Sequence, residues 1–312
     1  MADPADRSMM FDRIQNWGAR GLMGAALALP YAWRVPVMGW LMSAVVAPLA
    51  GLRTRIRENL ALVVPDLPDK DVQRLTRNVP NNMGRTLIEV YSGSDFYRHC
   101  ATLTLGGDGW SDVKQAAQDK RPVVIVTGHF GNYDALRVAL IQAGCEVGAI
   151  YRPFNNPFFD AHYRSTINKI GPIWPRGPNG LTQMVKHLKG GGMAAIAADQ
   201  FVSDGAPVSF FGRAAATSLA SAKLALKFDA LLVAGYGIRC DDGLRFDLVL
   251  EKPVDPATPE EMTARLNASL EAQIRAHMDQ WMWTHRRWKG AAPITPDIVD
   301  RIDPTAGDPA RT

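Results

Sequence analysis

Cysteine is scarce in this chain, with only three among its 312 residues. Cys100, Cys145 and Cys240 lie far apart and form no Cys-x-x-Cys pair, so the sequence predicts neither a disulfide framework nor a zinc site. We interpret these residues as small, buried apolar side chains in a reducing compartment. A nucleophilic role for one of them is the alternative, and no local feature supports it.

Two familiar signatures are also missing. No Gly-x-Ser-x-Gly elbow occurs in the sequence, which argues against a serine hydrolase. Residues 189–192 (KGGG) lack the Gly-Lys-Ser/Thr ending of a phosphate loop, and they precede an apolar run instead of opening a helix. We therefore predict a helix C-cap and a connector there.

Charge is modest. Charged residues make up 21% of the chain and the formal net charge is +4. This balance is too weak to imply a nucleic-acid partner, but it suits a surface that meets anionic lipid or an acidic partner. Hydrophobic residues make up 47%, which together with the charged fraction excludes a disordered chain and a polytopic membrane protein.

The N-terminal region is poor in charge, since Arg20 and Arg34 are the only charged residues from 17 to 52. The apolar run 21–33 is too short to span a bilayer. The run 35–52 just reaches the lower limit of about 18 residues and contains two prolines. Neither run is a clean transmembrane helix.

We predict that this region is a membrane anchor, either one tilted span or a helical hairpin in the interface. Aromatic residues that suit a headgroup boundary flank or interrupt the runs: Trp17, Tyr31, Trp33 and Trp40. Arg53, Arg55 and Arg57 follow directly, which places that end on the cytoplasmic side of a membrane. The alternatives are buried helices that pack on the catalytic domain and, for the arginines, a solvated helix face.

From about residue 120 the pattern has an α/β rhythm, with short runs rich in Val, Ile and Ala between longer amphipathic stretches. Strands are predicted at 122–127, 145–151, 193–198, 208–211, 231–239 and 244–250, and helices at 132–143, 157–170, 180–189 and 259–279. We expect a mixed, largely parallel central sheet flanked by helices. The predicted organisation is an N-terminal apolar segment (1–52), an α/β domain (53–292) and a flexible C-terminal tail (293–312).

The strongest chemical signal lies where the first buried strand ends. There His129 and Asp134 are separated by four residues across a predicted strand-to-helix turn. In that geometry Asp134 can fold back, accept a hydrogen bond from Nδ1 of His129 and leave Nε2 as a base. A histidine that only caps a helix beside a satisfied aspartate is the alternative for an isolated pair.

Several further blocks run in order through the chain: 57–60 (RENL) with Pro65, 128–134 (GHFGNYD), 151–153 (YRP) with 155–156 (NN), 199–200 (DQ), 208–212 (VSFFG) with Ala215 and Thr217, and 280–289 (QWMWTHRRWK). These blocks resemble the late acyltransferases of lipid A biosynthesis, within the wider lysophospholipid acyltransferase group with its His-x4-Asp/Glu motif. One such block is weak evidence, but this order is specific.

The resemblance implies an enzyme of lipopolysaccharide biosynthesis that transfers a fatty acyl chain without a covalent acyl-enzyme. His129, paired with Asp134, would deprotonate a hydroxyl of a lipid A precursor, which attacks the thioester of an acyl carrier protein. The implied location is the cytoplasmic face of the bacterial inner membrane, in contact with membrane lipids. No cofactor, metal or nucleic-acid partner is expected.

Seven further residues are candidates for substrate binding. Arg152 follows the second predicted strand and should share a sheet edge with His129, where a guanidinium can clamp a phosphate of the acceptor. Arg164 and Arg176 are possible partners, although an arginine on a helix more often faces solvent. The remaining candidates are open to a structural role as well: Asn132 at the turn, Asp199 and Gln200 after the third strand, and Arg213 beside an apolar pair that lines an acyl channel or packs the core.

Two other functions stay open at this level. The nearer one is an acyltransferase for another acceptor, such as a lysophospholipid or an aminolipid, and the further one is a catalytically silent lipid-binding membrane protein. Residues 281–289 also interleave tryptophans with basic residues, as nucleic-acid surfaces do. With so small a net charge, we prefer a segment that packs beside the catalytic domain with its cations near anionic glycolipid or membrane.

Overall fold

The computed structural model describes residues 4–290, so the predicted tail at 293–312 lies outside the described part of the chain. The first hundred residues are helical. Their elements are α1 (Pro4–Leu27), α2 (Tyr31–Leu41), a π-helical turn (Met42–Val46), α3 (Ala47–Leu49), α4 (Leu52–Val63), α5 (Asp69–Tyr91) and α6 (Ser94–Cys100).

The remaining elements alternate between strands and helices. They are β1 (Leu105–Gly106), α7 (Trp110–Gln118), β2 (Val123–Thr127), α8 (Tyr133–Gln142), β3 (Val147–Tyr151), α9 (Pro157–Ile167), β4 (Ile173–Pro175), α10 (Pro178–Lys189), β5 (Met193–Ala197), β6 (Ala206–Phe210), β7 (Arg213–Thr217), α11 (Ala220–Phe228), β8 (Leu231–Arg239), β9 (Phe246–Leu250) and α12 (Pro259–Ala276). Residues 189–192 end α10 and lead into β5, as predicted.

A seven-stranded sheet forms the centre, in the order β1-β9-β8-β2-β5-β3-β4. The five strands from β8 to β4 are parallel, whereas β9 pairs antiparallel with β8. Strand β2 lies in the middle and is buried along its whole length, as expected for a parallel strand covered on both faces. The predicted fold class, a mixed and largely parallel sheet flanked by helices, is confirmed.

The N-terminal segment combines a packed face with an exposed one. The continuous helix Tyr31–Leu49 has a mean hydropathy of 1.3 and is, within the described residues, the one helix long and apolar enough to cross a membrane. Its inner face packs closely on α5, where a Cβ built on Gly84 would lie 2.5 Å from the carbonyl oxygen of Met38. Its outer face leaves the side chains of Trp33 and Trp40 69% and 62% exposed.

Local sequence explains the ends of the helices near the sheet edge. Asn132 caps α8, and its Oδ1 atom accepts hydrogen bonds from the backbone N–H groups of Asp134 and Ala135. Gly131, just before it, has a φ of +53°, and a Cβ there would lie 2.0 Å from the carbonyl oxygen of Gly237. The turn after β2 therefore requires glycine for both conformation and space.

Candidate active site

The candidate site lies at the carboxyl-terminal edge of the sheet, where β2 and β5 end side by side. These strands are parallel and in register, with Thr127 opposite Ala197. His129 and Asp199 each follow their strand by two residues. The register therefore brings the two side chains together, although 70 residues separate them in the chain.

Asp199 holds the imidazole of His129 from behind. The Nδ1 atom of His129 lies 2.7 Å from Oδ1 of Asp199, and the backbone N–H of His129 donates to Oδ2 at 2.8 Å. The indole Nε1–H of Trp281 also donates to Oδ2 at 2.8 Å. With one proton on the ring, this arrangement places it on Nδ1 and leaves a lone pair on Nε2.

The predicted hydrogen bond between His129 and Asp134 is wrong. The carboxylate of Asp134 instead accepts a hydrogen bond from Nε of Arg137 at 2.8 Å, one helical turn further along α8. Both side chains are buried, and Nη1 and Nη2 of Arg137 find no hydrogen-bond partner within the described part of the chain. Asp134 therefore balances a buried cation, while Asp199 occupies the position behind the histidine.

The electrostatics of the pair favour a histidine that is readily protonated during a reaction. Burial lowers the pKa of His129, but the charge of Asp199 and its hydrogen bond outweigh that effect and raise the pKa above its ordinary value. Burial has the opposite effect on a carboxyl group and raises the pKa of Asp199, but the facing His129 and the hydrogen bonds hold this pKa well below its usual range. Asp199 is therefore an anion that stabilises the imidazolium.

Two cavities meet at His129. One, of about 510 Å³, includes Arg152, Arg176 and the Asp134–Arg137 pair in its wall, and we call it the polar cavity. The other, of about 280 Å³, is mainly apolar and includes Met42, Met83, Leu87, Val90 and Met282 in its wall. His129 lines both cavities, so a polar ligand in one and an apolar chain in the other would have their ends beside the same imidazole.

The structure brings together some predicted substrate-binding residues and separates others. Arg152 and Gln200 line the polar cavity, as does Arg176. Arg164 lies on the exposed side of α9 and is not in the wall of either cavity in the described structure. Arg213 lies on β7 and donates a hydrogen bond from Nε to the carbonyl oxygen of Leu62. Arg164 and Arg213 therefore lie outside the walls of these two cavities, and their part in substrate binding stays a prediction.

Asn132 is a structural residue. Its Oδ1 atom caps α8, and its Nδ2 atom donates to Oε2 of Glu89 at 2.8 Å. Its side chain is fully buried. Glu89 is itself paired with Arg239, so Asn132 ties the turn after β2 to a buried ionic network and has no free side-chain atom for substrate.

The sequence predictions did not assign a role to His285, which also lines the polar cavity. The centroid of its ring lies 5.1 Å from the centroid of the His129 ring. The signal was the 280–289 block, whose tryptophans are buried: Trp281, Trp283 and Trp288. This block packs into the domain, and Arg287 is fully buried against β7, where it donates hydrogen bonds to Ala216 and Thr217.

The block at residues 57–60 (RENL) also contributes to the surroundings of the candidate site. Nδ2 of Asn59 donates to the carbonyl oxygens of Trp283 and His285, at 2.6 and 2.8 Å. Two blocks more than 220 residues apart in the chain are thus joined directly beside the candidate site.

Comparison with known proteins identifies the family of this chain. The sequence pattern of the bacterial lipid A biosynthesis acyltransferases matches residues 5–290. A lipid A biosynthesis palmitoleoyltransferase of Escherichia coli K12 is 25% identical over 287 residues, which cover 88% of this chain and 90% of that protein. A lipid A biosynthesis lauroyltransferase of the same strain is 26% identical over 296 residues, with 88% and 91% covered.

A lipid A biosynthesis acyltransferase of Haemophilus influenzae is 21% identical over 178 residues, about 56% of each chain. The family match extends over nearly the whole chain and includes the turn after β2, the end of β5 and the C-terminal tryptophan block. The chain is an acyltransferase that belongs to the bacterial lipid A biosynthesis acyltransferase family.

Proposed function

We propose that the protein transfers a fatty acyl chain from an acyl carrier protein thioester to a hydroxyl of a lipid A precursor. His129 is the general base and Asp199 orients it. The observation that carries the proposal is the position of His129 where a cavity lined by arginines meets an apolar one. A phosphorylated glycolipid and an acyl thioester need such a pair of surfaces, with one base between their reacting ends.

The reaction follows from the proton inventory of the site. Nε2 of His129 takes the proton of the acceptor hydroxyl as its oxygen attacks the thioester carbonyl. The tetrahedral intermediate collapses, the C–S bond breaks, and the imidazolium returns the proton to the leaving thiolate. Asp199 stays ionised throughout and stabilises the imidazolium by its charge and hydrogen bond.

The polar cavity suits a phosphorylated acceptor. Arg152, Arg176 and Arg137 contribute three guanidinium groups to its wall, against the single carboxylate of Asp134. Guanidinium groups bind phosphate through paired hydrogen bonds. We assign Arg152 and Arg176 to an acceptor phosphate and the apolar cavity to the acyl chain.

We also propose that the enzyme works at the cytoplasmic face of the bacterial inner membrane. The exposed tryptophans on the outer face of Tyr31–Leu49 support this placement, as do the exposed Arg55 and Arg57 at the start of α4. Residues 1–52 would form the membrane-associating part and the chain from residue 53 the catalytic part. Because the inner face of the helix packs on α5, the segment is also part of the fold.

Transfer by the purified, detergent-solubilised protein tests the function. Acyl carrier protein thioester is offered with a lipid A precursor or with a lysophospholipid, and products are identified by mass spectrometry. We expect acylation of the precursor, and His129→Ala should lower turnover by about 10²–10⁴. Acylation of the lysophospholipid alone would overturn the acceptor, and normal turnover of His129→Ala would overturn the base.

Arg152→Lys separates acceptor binding from chemistry, because an ammonium group cannot reproduce a bidentate grip. Loss of one charge-assisted hydrogen bond of about 1.5 kcal/mol should raise the KM for the acceptor about tenfold. The KM for the carrier thioester should be unchanged. Arg164→Lys, on the exposed side of α9, is the matched control, and equal losses for both substrates would contradict the assignment.

A further inference from the structure

Gln200 lies between two histidines in the wall of the polar cavity. Its Nε2 atom is 3.5 Å from Nε2 of His129 and 3.3 Å from Nε2 of His285. The two imidazoles meet edge to face, with an angle of 69° between their planes. The amide therefore lies beside the atom that must take the proton from the acceptor.

The protonation states of His129 and His285 determine which hydrogen bonds the amide of Gln200 can make. Nε2 of His129 carries a lone pair, because its Nδ1–H group donates to Asp199. The –NH2 group of Gln200 has two hydrogens, so it can donate one to each Nε2 atom. His285 then accepts through Nε2 and carries its own proton on Nδ1.

His285 is suited to the role of a fixed acceptor. Its pKa is lowered to about 4, chiefly by burial and then by the neighbouring His129, so it is neutral at physiological pH. Its backbone carbonyl oxygen accepts a hydrogen bond from Nδ2 of Asn59 at 2.8 Å. The imidazole thus presents a lone pair to Gln200 from an anchored backbone.

We propose that Gln200 donates a hydrogen bond to the oxyanion of the tetrahedral intermediate, and that His285 is the positioning residue that aims its amide. The inference rests on the proposed function, because it assigns roles within the same site. When the acceptor hydroxyl binds to Nε2 of His129, it displaces one N–H of Gln200. That N–H is then free to donate to the carbonyl oxygen, while the other remains bonded to His285.

The charge balance of the reaction supports this sequence. Negative charge develops on the carbonyl oxygen as His129 becomes protonated, and a protonated Nε2 cannot accept a hydrogen bond from Gln200. The N–H group that the bound hydroxyl displaced therefore cannot return to His129 at the stage at which the oxyanion needs a donor. A preorganised donor of this kind typically contributes about 10²–10³ in kcat.

Steady-state kinetics of single and double variants test the proposal. Gln200→Leu should lower kcat by about 10²–10³, with the KM for both substrates nearly unchanged. His285→Ala should lower kcat by at least about tenfold. The double variant should be no slower than Gln200→Leu, because a positioning residue has no effect once the group it positions is gone.

His285→Gln provides a rescue that a merely structural role would not predict. The Oε1 atom of glutamine can take the place of the Nε2 lone pair, so this variant should recover most of the kcat lost in His285→Ala. His187→Ala is the matched control, since His187 contacts the carbonyl oxygen of Glu146 and lies outside both cavity walls. Thermal unfolding of each variant verifies that it is folded.

Losses that multiply in the double variant would overturn the proposal, as would a rise in KM without a fall in kcat. His129→Ala is measured in parallel, on whichever acceptor the wild-type enzyme acylates. If His129→Ala is inactive while the Gln200 and His285 losses multiply, only the oxyanion assignment fails. If His129→Ala retains normal turnover, the general-base proposal itself fails.

Discussion

Asp199→Asn is the most informative single substitution, because it changes one charge and almost no volume. Asp199 accepts hydrogen bonds from the backbone N–H of His129, from Nδ1 of His129 and from Nε1 of Trp281. The backbone N–H of His129 and the indole N–H of Trp281 can only donate, and both donate to Oδ2. An asparagine must direct its oxygen to them and its –NH2 group to Nδ1 of His129.

The imidazole would then have to accept at Nδ1 and carry its proton on Nε2, so the base is lost. We expect kcat to fall by about 10³–10⁴, by analogy with the serine protease triad, where the equivalent substitution produces the wrong tautomer. At about 1.36 kcal/mol per factor of ten, that loss corresponds to roughly 4–5.5 kcal/mol of transition-state stabilisation.

The pH profile provides a second readout. His129 acts as a base when neutral, so kcat/KM of the wild-type enzyme should rise with pH through the raised pKa of His129, above 6.5. In Asp199→Asn the groups that raise this pKa are gone, while burial still lowers it. The ascending limb should therefore move to lower pH as the plateau falls.

Asp134→Asn is the matched control, since it also removes one negative charge from the region of His129, but Asp134 does not contact Nδ1 of His129. Its ascending limb should stay in place. Wild-type turnover in Asp199→Asn, or an unmoved limb, would refute the reasoning.

Three further predictions concern stability and membrane binding. Asp134→Asn should lower the free energy of unfolding by about 3–5 kcal/mol, because it leaves the buried charge of Arg137 uncompensated. Its turnover per folded molecule should stay within about tenfold of wild type. A kinetic loss as large as that of Asp199→Asn would mean that Asp134, and not Asp199, orients His129. Gly84→Ala should cost about 1–3 kcal/mol in chemical unfolding, because the added Cβ pushes α2 away from α5. Gly24→Ala, with nothing within 4 Å of the added carbon, should cost none of this, and equal losses would contradict the packing argument. Trp33→Gln should weaken binding to anionic vesicles without changing the melting temperature, whereas Leu226→Gln, at an exposed apolar position on α11, should leave binding unchanged.

The membrane prediction uses a substitution because deletion of residues 1–52 would change two properties at once. The inner face of Tyr31–Leu49 buries Val35, Met38 and Ala47. A truncated chain would therefore expose the surface of α5 as well as lose the exposed tryptophans. Substitution at Trp33 changes only the outer face.

Local sequence predicted the elements whose patterns are strongest. The run 122–127 became β2, and the long helix after Pro259 became α12, which begins with a capping box between Thr258 and Glu261. Strands β4 and β7 and helix α11 were not predicted. Strand β4 is only three residues long and β7 is rich in alanine, so neither has the apolar alternation that marks a strand.

The sequence by itself determined that His129 follows a buried strand at a glycine-rich turn, and that the chain belongs among lipid A acyltransferases. It also placed an acidic residue within local reach, which is why Asp134 was the natural partner. Only the tertiary structure decided otherwise. The order of strands places β5 beside β2, so the in-register ends deliver Asp199 to Nδ1, while Asp134 turns along α8 to Arg137. Spacing along a chain limits only local contacts, whereas neighbours across a parallel sheet depend on how the crossovers pack.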